Sequence, residues 1–396
     1  MNITDDLLKI IPSALAIASA IFSIGYFFGK RNTEAWTDFR KLKNAHADLQ
    51  TTQEKSDREL KKCRAERAEL AGENRKYNAL RKSLLGNDED LWLVHDNKPH
   101  KTYDADMGSG DLEVITVMNL KGGVGKTTLA ANLAAHFDTE MGKRVLIIDL
   151  DFQGSATTTL LATSALGSLP DVKVDHLFEQ GARQVSPNDV QLQLAGSPLQ
   201  KTFLVPCGYS FTGLENRMMV QWLLKESEAD PRYILAEYLY REDIRNKFDV
   251  VIIDAPPRLS LGAVNALTAS QSLIIPTIPD RMSVEAVRNF VMQANSIKPS
   301  LNSYLNRAFF VCNRANGTTL SNIERPIWEI VEGNDVSKAW RGIRHVVPTI
   351  IPRRAAFANA TFNRTLAYFQ NDTNDPSTPE LLKAFGNDIA RELNNV

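Results

Sequence analysis

The chain of 396 residues is poor in the residues that staple small folds or bind structural metals: it has 3 cysteines and 6 histidines. Cys63, Cys207 and Cys312 are too few and too scattered for a disulfide framework or a zinc site, and they fit a reducing compartment. No Ser-His-Asp or Cys-His constellation is recognisable, and no internal repeat stands out. The formal net charge is only −1, so bulk charge does not imply nucleic-acid binding. Two local absences are more informative. Residues 10–28, 19 positions, hold no charged side chain, and residues 31–85 hold no proline and one glycine, Gly72.

The uncharged run spans about 28 Å as a helix, close to a bilayer core of roughly 30 Å. Lys30, Arg31, Arg40, Lys41 and Lys43 follow it, while Lys9 stands before it beside Asp5 and Asp6. By the positive-inside rule this predicts a single-pass span, residues 1–30, in the inner (cytoplasmic) membrane with everything beyond in the cytoplasm. A buried core helix would normally show a polar face. A cleaved signal peptide would use Ala18-Ser19-Ala20, which lies inside the apolar run. A surface helix needs a charged face, which is absent.

Residues 31–85 read as a helical stalk with 14 basic and 9 acidic residues, leaving about −6 on the rest of the chain. One heptad seam reads Leu42, Leu49, Ser56, Cys63, Leu70, Tyr77, Leu84; its companion reads His46, Gln53, Leu60, Arg67, Asn74, Arg81. One apolar seam supports a weak coiled coil, the alternative being a solvated helix. Residues 86–110 form a linker in which Leu91-Trp92-Leu93-Val94 is apolar enough to dock on the body or on a partner. Residues 111–396 are long enough for one large α/β domain.

In that body Val114–Met118 reads as a strand, Lys121-Gly122-Gly123-Val124-Gly125-Lys126-Thr127-Thr128 as a Gly-rich loop, and Leu129–Ala135 as a helix. This order is the context of a phosphate-binding loop, whose backbone N–H groups cradle phosphate oxygens at a helix N-terminus. Lys126 is then placed at the β- and γ-phosphates and Thr127 on Mg²⁺. Two further buried strands end in acids: Val145–Asp149 leads into Leu150-Asp151-Phe152-Gln153-Gly154, and Val250–Asp254 into Ala255-Pro256-Pro257. Ligands of open α/β sheets gather at such strand ends.

With its second lysine at position 121, KGGVGKTT resembles the deviant Walker A loop of the ParA/MinD family of ATPases. Asp149–Gly154 resembles that family's DxDPQG element, with Phe152 where proline is usual. Asp254 and the two prolines resemble its Walker B strand and switch. Weaker echoes are the strand at Phe203–Pro206, the strand at Leu273–Thr277 with the following Val284–Val287, the strand at Ala308–Cys312 with Asn313-Arg314, and Ile350-Ile351-Pro352-Arg353.

The resemblance implies a doubly wound, mostly parallel P-loop α/β fold that binds ATP and Mg²⁺, dimerises with ATP and hydrolyses it. Lys121, Lys126 and Asp151 would be catalytic, with Lys121 reaching the partner subunit's nucleotide and Asp151 orienting the attacking water. Gly122, Gly123, Val124, Gly125, Lys126, Thr127, Thr128, Asn313 and Pro352 would hold the nucleotide. Thr127, Asp149 and Asp254 would serve the metal. It also points to non-specific DNA binding through the acid-free basic stretch Lys338, Arg341, Arg344, Arg353, Arg354 and Arg364, equally readable as a partner-facing surface. The implied role is a membrane-anchored switch that positions or recruits a partner or DNA. The alternative is an ATPase sensor in a defence-type system controlling a separate effector.

Overall fold

The computed structural model describes residues 16–21, 23, 33–86, 88–164, 171–194, 196–333, 336–370 and 377–394. It divides into two compact units, residues 1–81 and 82–396.

In the first unit a single helix runs from Thr33 to Leu84, 52 residues, about 78 Å at 1.5 Å per residue. Its apolar seam faces outward: Leu42, Leu49, Leu70 and Tyr77 are all at least half exposed. Surface ion pairs such as Arg58–Glu54 and Lys62–Glu66, each 3.9 Å, add a few tenths of a kcal/mol apiece. Most of the uncharged run 10–28 lies outside the described residues. Of it, residues 16–21 and Ser23 are helical, with Ile17 and Ile21 exposed. Among the described residues no helix is long and apolar enough to cross a membrane.

The second unit is built on one nine-stranded sheet. The strands are β1 (Glu113–Val117), β2 (Val145–Asp149), β3 (Leu192–Gln193), β4 (Thr202–Val205), β5 (Val250–Asp254), β6 (Ser272–Thr277), β7 (Arg307–Ala315), β8 (Ile343–Val346) and β9 (Ile351–Pro352). Their order is β3-β4-β2-β5-β1-β6-β7-β8, with β9 beside β7. Every pairing is parallel except β3 with β4. Valine- and isoleucine-rich runs fill β2 and β5, which are buried along their whole length because helices cover both faces. Alternation along β1 splits the core: Val114 packs on one face, Ile115 and Val117 on the other.

The segment after the long helix is part of this unit. Short helices at Asp88–Trp92 and Tyr103–Gly108 bring Trp92, Tyr103 and Met107 into the core of one sheet face. The docking target of the Leu91–Val94 run is therefore the body itself.

Candidate nucleotide and metal site

Three neighbouring strands deliver the site to one edge of the sheet. In register, Val117 lies beside Asp254 and Asp254 beside Asp149, so β1, β5 and β2 end together. The loop after β1 runs over that edge into the helix Lys126–Thr139. Gly123 (φ 72°) and Gly125 (φ 89°) take the left-handed backbone that closes the loop. At Gly125 a side chain would also strike the Asn313 amide, so backbone and neighbour alike demand glycine there. Asn119, fully buried, fixes the start of the loop. Its amide donates to the Pro276 carbonyl at 2.8 Å, and its oxygen accepts the Lys121 N–H at 2.9 Å.

The two strand-end acids differ in what they hold. Asp149 accepts from the Asp151 N–H (3.0 Å) and from the Thr157 N–H and hydroxyl (both 2.8 Å). Its oxygens are thus spent on the turn that carries Asp151. Asp149 therefore shapes that turn and stands beside Asp254 at the strand ends. Asp254 accepts from the Thr127 hydroxyl at 2.6 Å through Oδ2, while Oδ1 is buried with no partner. Burial raises the pKa of Asp254, and the neighbouring Asp149 raises it further, against Thr127 and Lys126. Burial likewise raises Asp149. Lys126, 7% exposed, has its pKa lowered by burial, with Asp254 and Asp151 opposing. A buried carboxylate oxygen without a partner, next to a threonine hydroxyl and a loop of N–H groups, suits a hydrated Mg²⁺ carried in on phosphates. Among the described residues no cluster of three or more His, Cys, Asp or Glu could hold a metal by itself.

Beside the loop lies a cavity of about 310 Å³ lined by Gly125, Thr128, Asn313, Pro352, Arg353 and Phe357 among others. Asn313 donates to the Val124 carbonyl at 2.7 Å, and Arg314 to that of Gly123. Asn313 and Pro352, far apart in sequence, meet because β9 pairs with the end of β7. Arg353 and Arg354 line this same cavity, and Arg354 is bonded to Thr378 at 3.1 Å. The basic stretch is therefore not one surface. Arg344 pairs with Ala308 at the start of β7, whereas Pro352 pairs with Ala315 at its end, roughly 20 Å further along the strand. Lys338, Arg341 and Arg344 sit towards one edge of the sheet, and Arg353 and Arg354 at the nucleotide edge. Closeness in sequence concealed the crossing of the sheet between them.

Lys121 does not point into its own loop. Its ammonium reaches Ser283 Oγ at 2.6 Å and Asp280 Oδ1 at 3.4 Å. Asp280 also caps the helix Arg281–Leu301 by accepting the Ser283 N–H at 2.8 Å. Burial opposes the charge of Asp280, but Ser283 and Lys121 outweigh it and hold its pKa below the usual value.

Two further residues support the site. Glu215, 3% exposed, accepts from Ser260 Oγ (2.6 Å), Gly262 N (2.7 Å) and Arg258 (3.0 Å), and so anchors the segment after Asp254. Burial raises its pKa, against those three donors. Phe152, in the place of the usual proline, lies under the Arg258 guanidinium at 5.4 Å and meets Tyr209 edge-on at 6.0 Å. That contact joins the two loops that follow β2 and β5.

Comparison with known proteins agrees with this geometry. A family model described as "AAA domain" matches residues 112–307. The chain is 31% identical over 255 residues to the chromosome-partitioning ATPase Soj of Thermus thermophilus, which covers 64% of this chain and 86% of that protein. It is 32% identical over 195 residues to a Rhizobium rhizogenes relative named as a replication protein A, of which it spans only 46%. Among solved structures, apo McdA of Cyanothece aligns with a TM-score of 0.56 at 20% identity, covering 70% of this chain and 99% of that one. A cobyrinic acid a,c-diamide synthase from Mycobacterium smegmatis, with bound ATP analogue and magnesium, aligns at 0.52 and 23%, covering 72% and 96%. The fold and site define a P-loop nucleotide-binding protein with a doubled loop lysine. The chain belongs to the ParA/MinD family of P-loop ATPases.

Proposed function

We propose that the chain is a membrane-held ATP switch, which dimerises around Mg²⁺·ATP and separates after hydrolysis, and which positions or recruits a protein partner. The observation that carries this reading is the buried Asp254, side by side with Asp149, bonded to Thr127 and left with one free oxygen at the end of the phosphate loop. Two buried acids in register destabilise the nucleotide-free protein, and a cation relieves them.

Bound Mg²⁺·ATP would supply the phosphoanhydride to be cleaved and a cationic centre that offsets its charge. Thr127 and Asp254 are the residues that would hold the ion. Lys126, enclosed near Asp254 and Asp151, neutralises phosphate charge, and the N–H groups of residues 122–128 orient it. Asp151, fixed by its N–H on Asp149, positions the attacking water. Lys121 must leave Asp280 and Ser283 before it can serve a partner subunit, so dimerisation competes with an internal contact.

The membrane reading rests on the uncharged run 10–28, its basic flank, and the outward-facing Ile17 and Ile21. The exposed heptad seam of Thr33–Leu84 suits self-pairing between two such chains. Full-length protein in membranes tests the anchoring: it should resist alkaline carbonate, and its release would end that part of the reading. For the switch, Asp151→Ala should retain ATP and accumulate as a dimer in sedimentation. A monomeric variant with bound ATP would contradict it.

A further inference from the structure

We infer that residues 88–108 report the state of the switch segment 255–260, with Trp92 acting as a positioning residue for that segment. The inference rests on the ATP-switch reading above. Trp92 is fully buried, and its indole N–H donates to the Leu259 carbonyl at 3.1 Å. Leu259 lies five residues beyond Asp254, past Pro256 and Pro257, whose fixed φ angles stiffen the path between them. The far end of that path has two holds: Glu215 grips Arg258, Ser260 and Gly262, and Trp92 grips Leu259.

The second hold is built deliberately. Trp92 stacks on Trp222 with ring centroids 5.7 Å apart, and Trp222 shares the helix Ser210–Leu223 with Glu215. Arg232, fully buried, collects three carbonyls of the linker: Trp92 (2.6 Å), His95 (3.4 Å) and Asp96 (3.1 Å). Its charge is answered by Asp230 at 2.6 Å, and its face lies 4.7 Å over Trp222. The same Pro231–Arg232 backbone is bonded by Asn265 (2.8 Å) and Thr268 (2.6 Å) from the helix Leu261–Ala269, which begins where the switch segment ends. Tyr103 closes the layer by donating to the Thr268 carbonyl at 2.6 Å. The linker is thus bonded both to the switch segment and to the helix it leads into. A shift of Leu259 must either break the indole bond or carry Trp92 with it.

Trp92 and Tyr103 both precede the family match at residues 112–307, so the donor side of this hold lies outside the matched region. The chain continues from Trp92 back to Leu84, the end of the long helix. A change at Asp254 therefore has a covalent exit towards the N-terminal part of the protein.

The test uses the full-length chain, hydrogen–deuterium exchange over residues 88–108, and two ligands, ADP and a slowly hydrolysed ATP analogue, each with Mg²⁺. Exchange in that segment should differ between the two by about 3- to 10-fold, the size of one net hydrogen bond. Trp92→Phe keeps a ring in the stack and removes the donor. It should erase most of the difference and change kcat by about the same factor, with KM for ATP within about twofold, a split that simple loss of packing would not give. Equal exchange in both bound states, or a difference that survives in Trp92→Phe, would overturn the coupling. The wild-type comparison stands even if the variant folds poorly. Failure of either nucleotide to bind would instead remove the switch reading and this inference with it.

Discussion

Leucine and isoleucine mean different things in the two units. Ile147, Ile252 and Ile253 sit in strands flanked on both sides and have no exposed surface. Leu42, Leu49 and Leu70, on the helix Thr33–Leu84, are exposed by 61, 51 and 60%. The body covers its apolar strands, and buried acids such as Asp149 and Glu215 are bonded within it. The long helix leaves its seam open, so its stability is a matter of helix propensity and of whatever lies along it.

The sharpest break of that comparison is a matched pair of truncations. Ile252→Ala should cost the body about 2–5 kcal/mol in denaturant unfolding, as loss of a fully buried aliphatic chain does. Leu49→Ala should leave that transition within about 0.5 kcal/mol, as surface changes do. A large effect of Leu49→Ala would show the seam to be packed on something in solution.

The next effect is on binding. Lys126→Ala should weaken ATP binding by about 100-fold, near 2.7 kcal/mol, because the enclosed ammonium facing phosphate is lost. Equilibrium titration of a fluorescent ATP analogue measures this. The same substitution in the helix, Lys62→Ala, should leave affinity unchanged.

Asp254→Asn separates stability from function. The variant should lose Mg²⁺-dependent hydrolysis, yet the nucleotide-free protein should gain about 1 kcal/mol as the carboxylate pair is relieved. The pH dependence follows from the raised pKa of Asp254. A carboxyl raised in the folded state favours folding while protonated, so its contribution is full at acid pH. It is lost as pH rises from the ordinary carboxylate range through the raised value. Tm against pH should therefore fall on this limb in wild type without nucleotide and fall less steeply in Asp254→Asn and in wild type with Mg²⁺·ATP, Asp149 and Glu215, also raised by burial, keeping part of the slope.

The smallest effect belongs to the Lys121 contact. Lys121 and Asp280 are 29 and 43% exposed, so the pair is worth less than about 1 kcal/mol. Asp280→Asn should strengthen the ATP-dependent dimer by no more than about fivefold in sedimentation, the range such a contact allows.

The nucleotide edge was legible in the sequence because each part is local. A strand, a glycine loop and a helix are adjacent at 114–135, and Asp149 and Asp254 each end an uninterrupted Val/Ile run. What escaped is what depends on the sheet. Arg354 reads only as part of a basic stretch and Arg353 also as the end of the Ile350–Arg353 echo, and β9 carries both to the end of β7. β3 has only 2 residues, and β8 sets Arg344 and His345 between Ile343 and Val346, so neither signals itself. Glu215, Asn119 and Arg232 are buried polar groups that each also bond a segment far away in sequence, at Ser260, Pro276 and Trp92, so no spacing announces those contacts. Lys121 shows the limit from the other side: its motif was plain, but its present partners, Asp280 and Ser283, come from a helix 160 residues on. The linker was recognised as apolar enough to dock, and only the fold could show the docking surface.

The central claim is that Asp254, Lys126 and Asp151 form one Mg²⁺·ATP site that turns over. Single-turnover hydrolysis of γ-labelled ATP by the full-length chain tests it most directly, with Asp151→Ala and Lys126→Ala in parallel and Mg²⁺ present or chelated. The account predicts release of labelled phosphate by wild type only with Mg²⁺, retained but uncleaved ATP in Asp151→Ala, and no retained ATP in Lys126→Ala. Equal retention and cleavage in all three proteins, or cleavage indifferent to Mg²⁺, would contradict it.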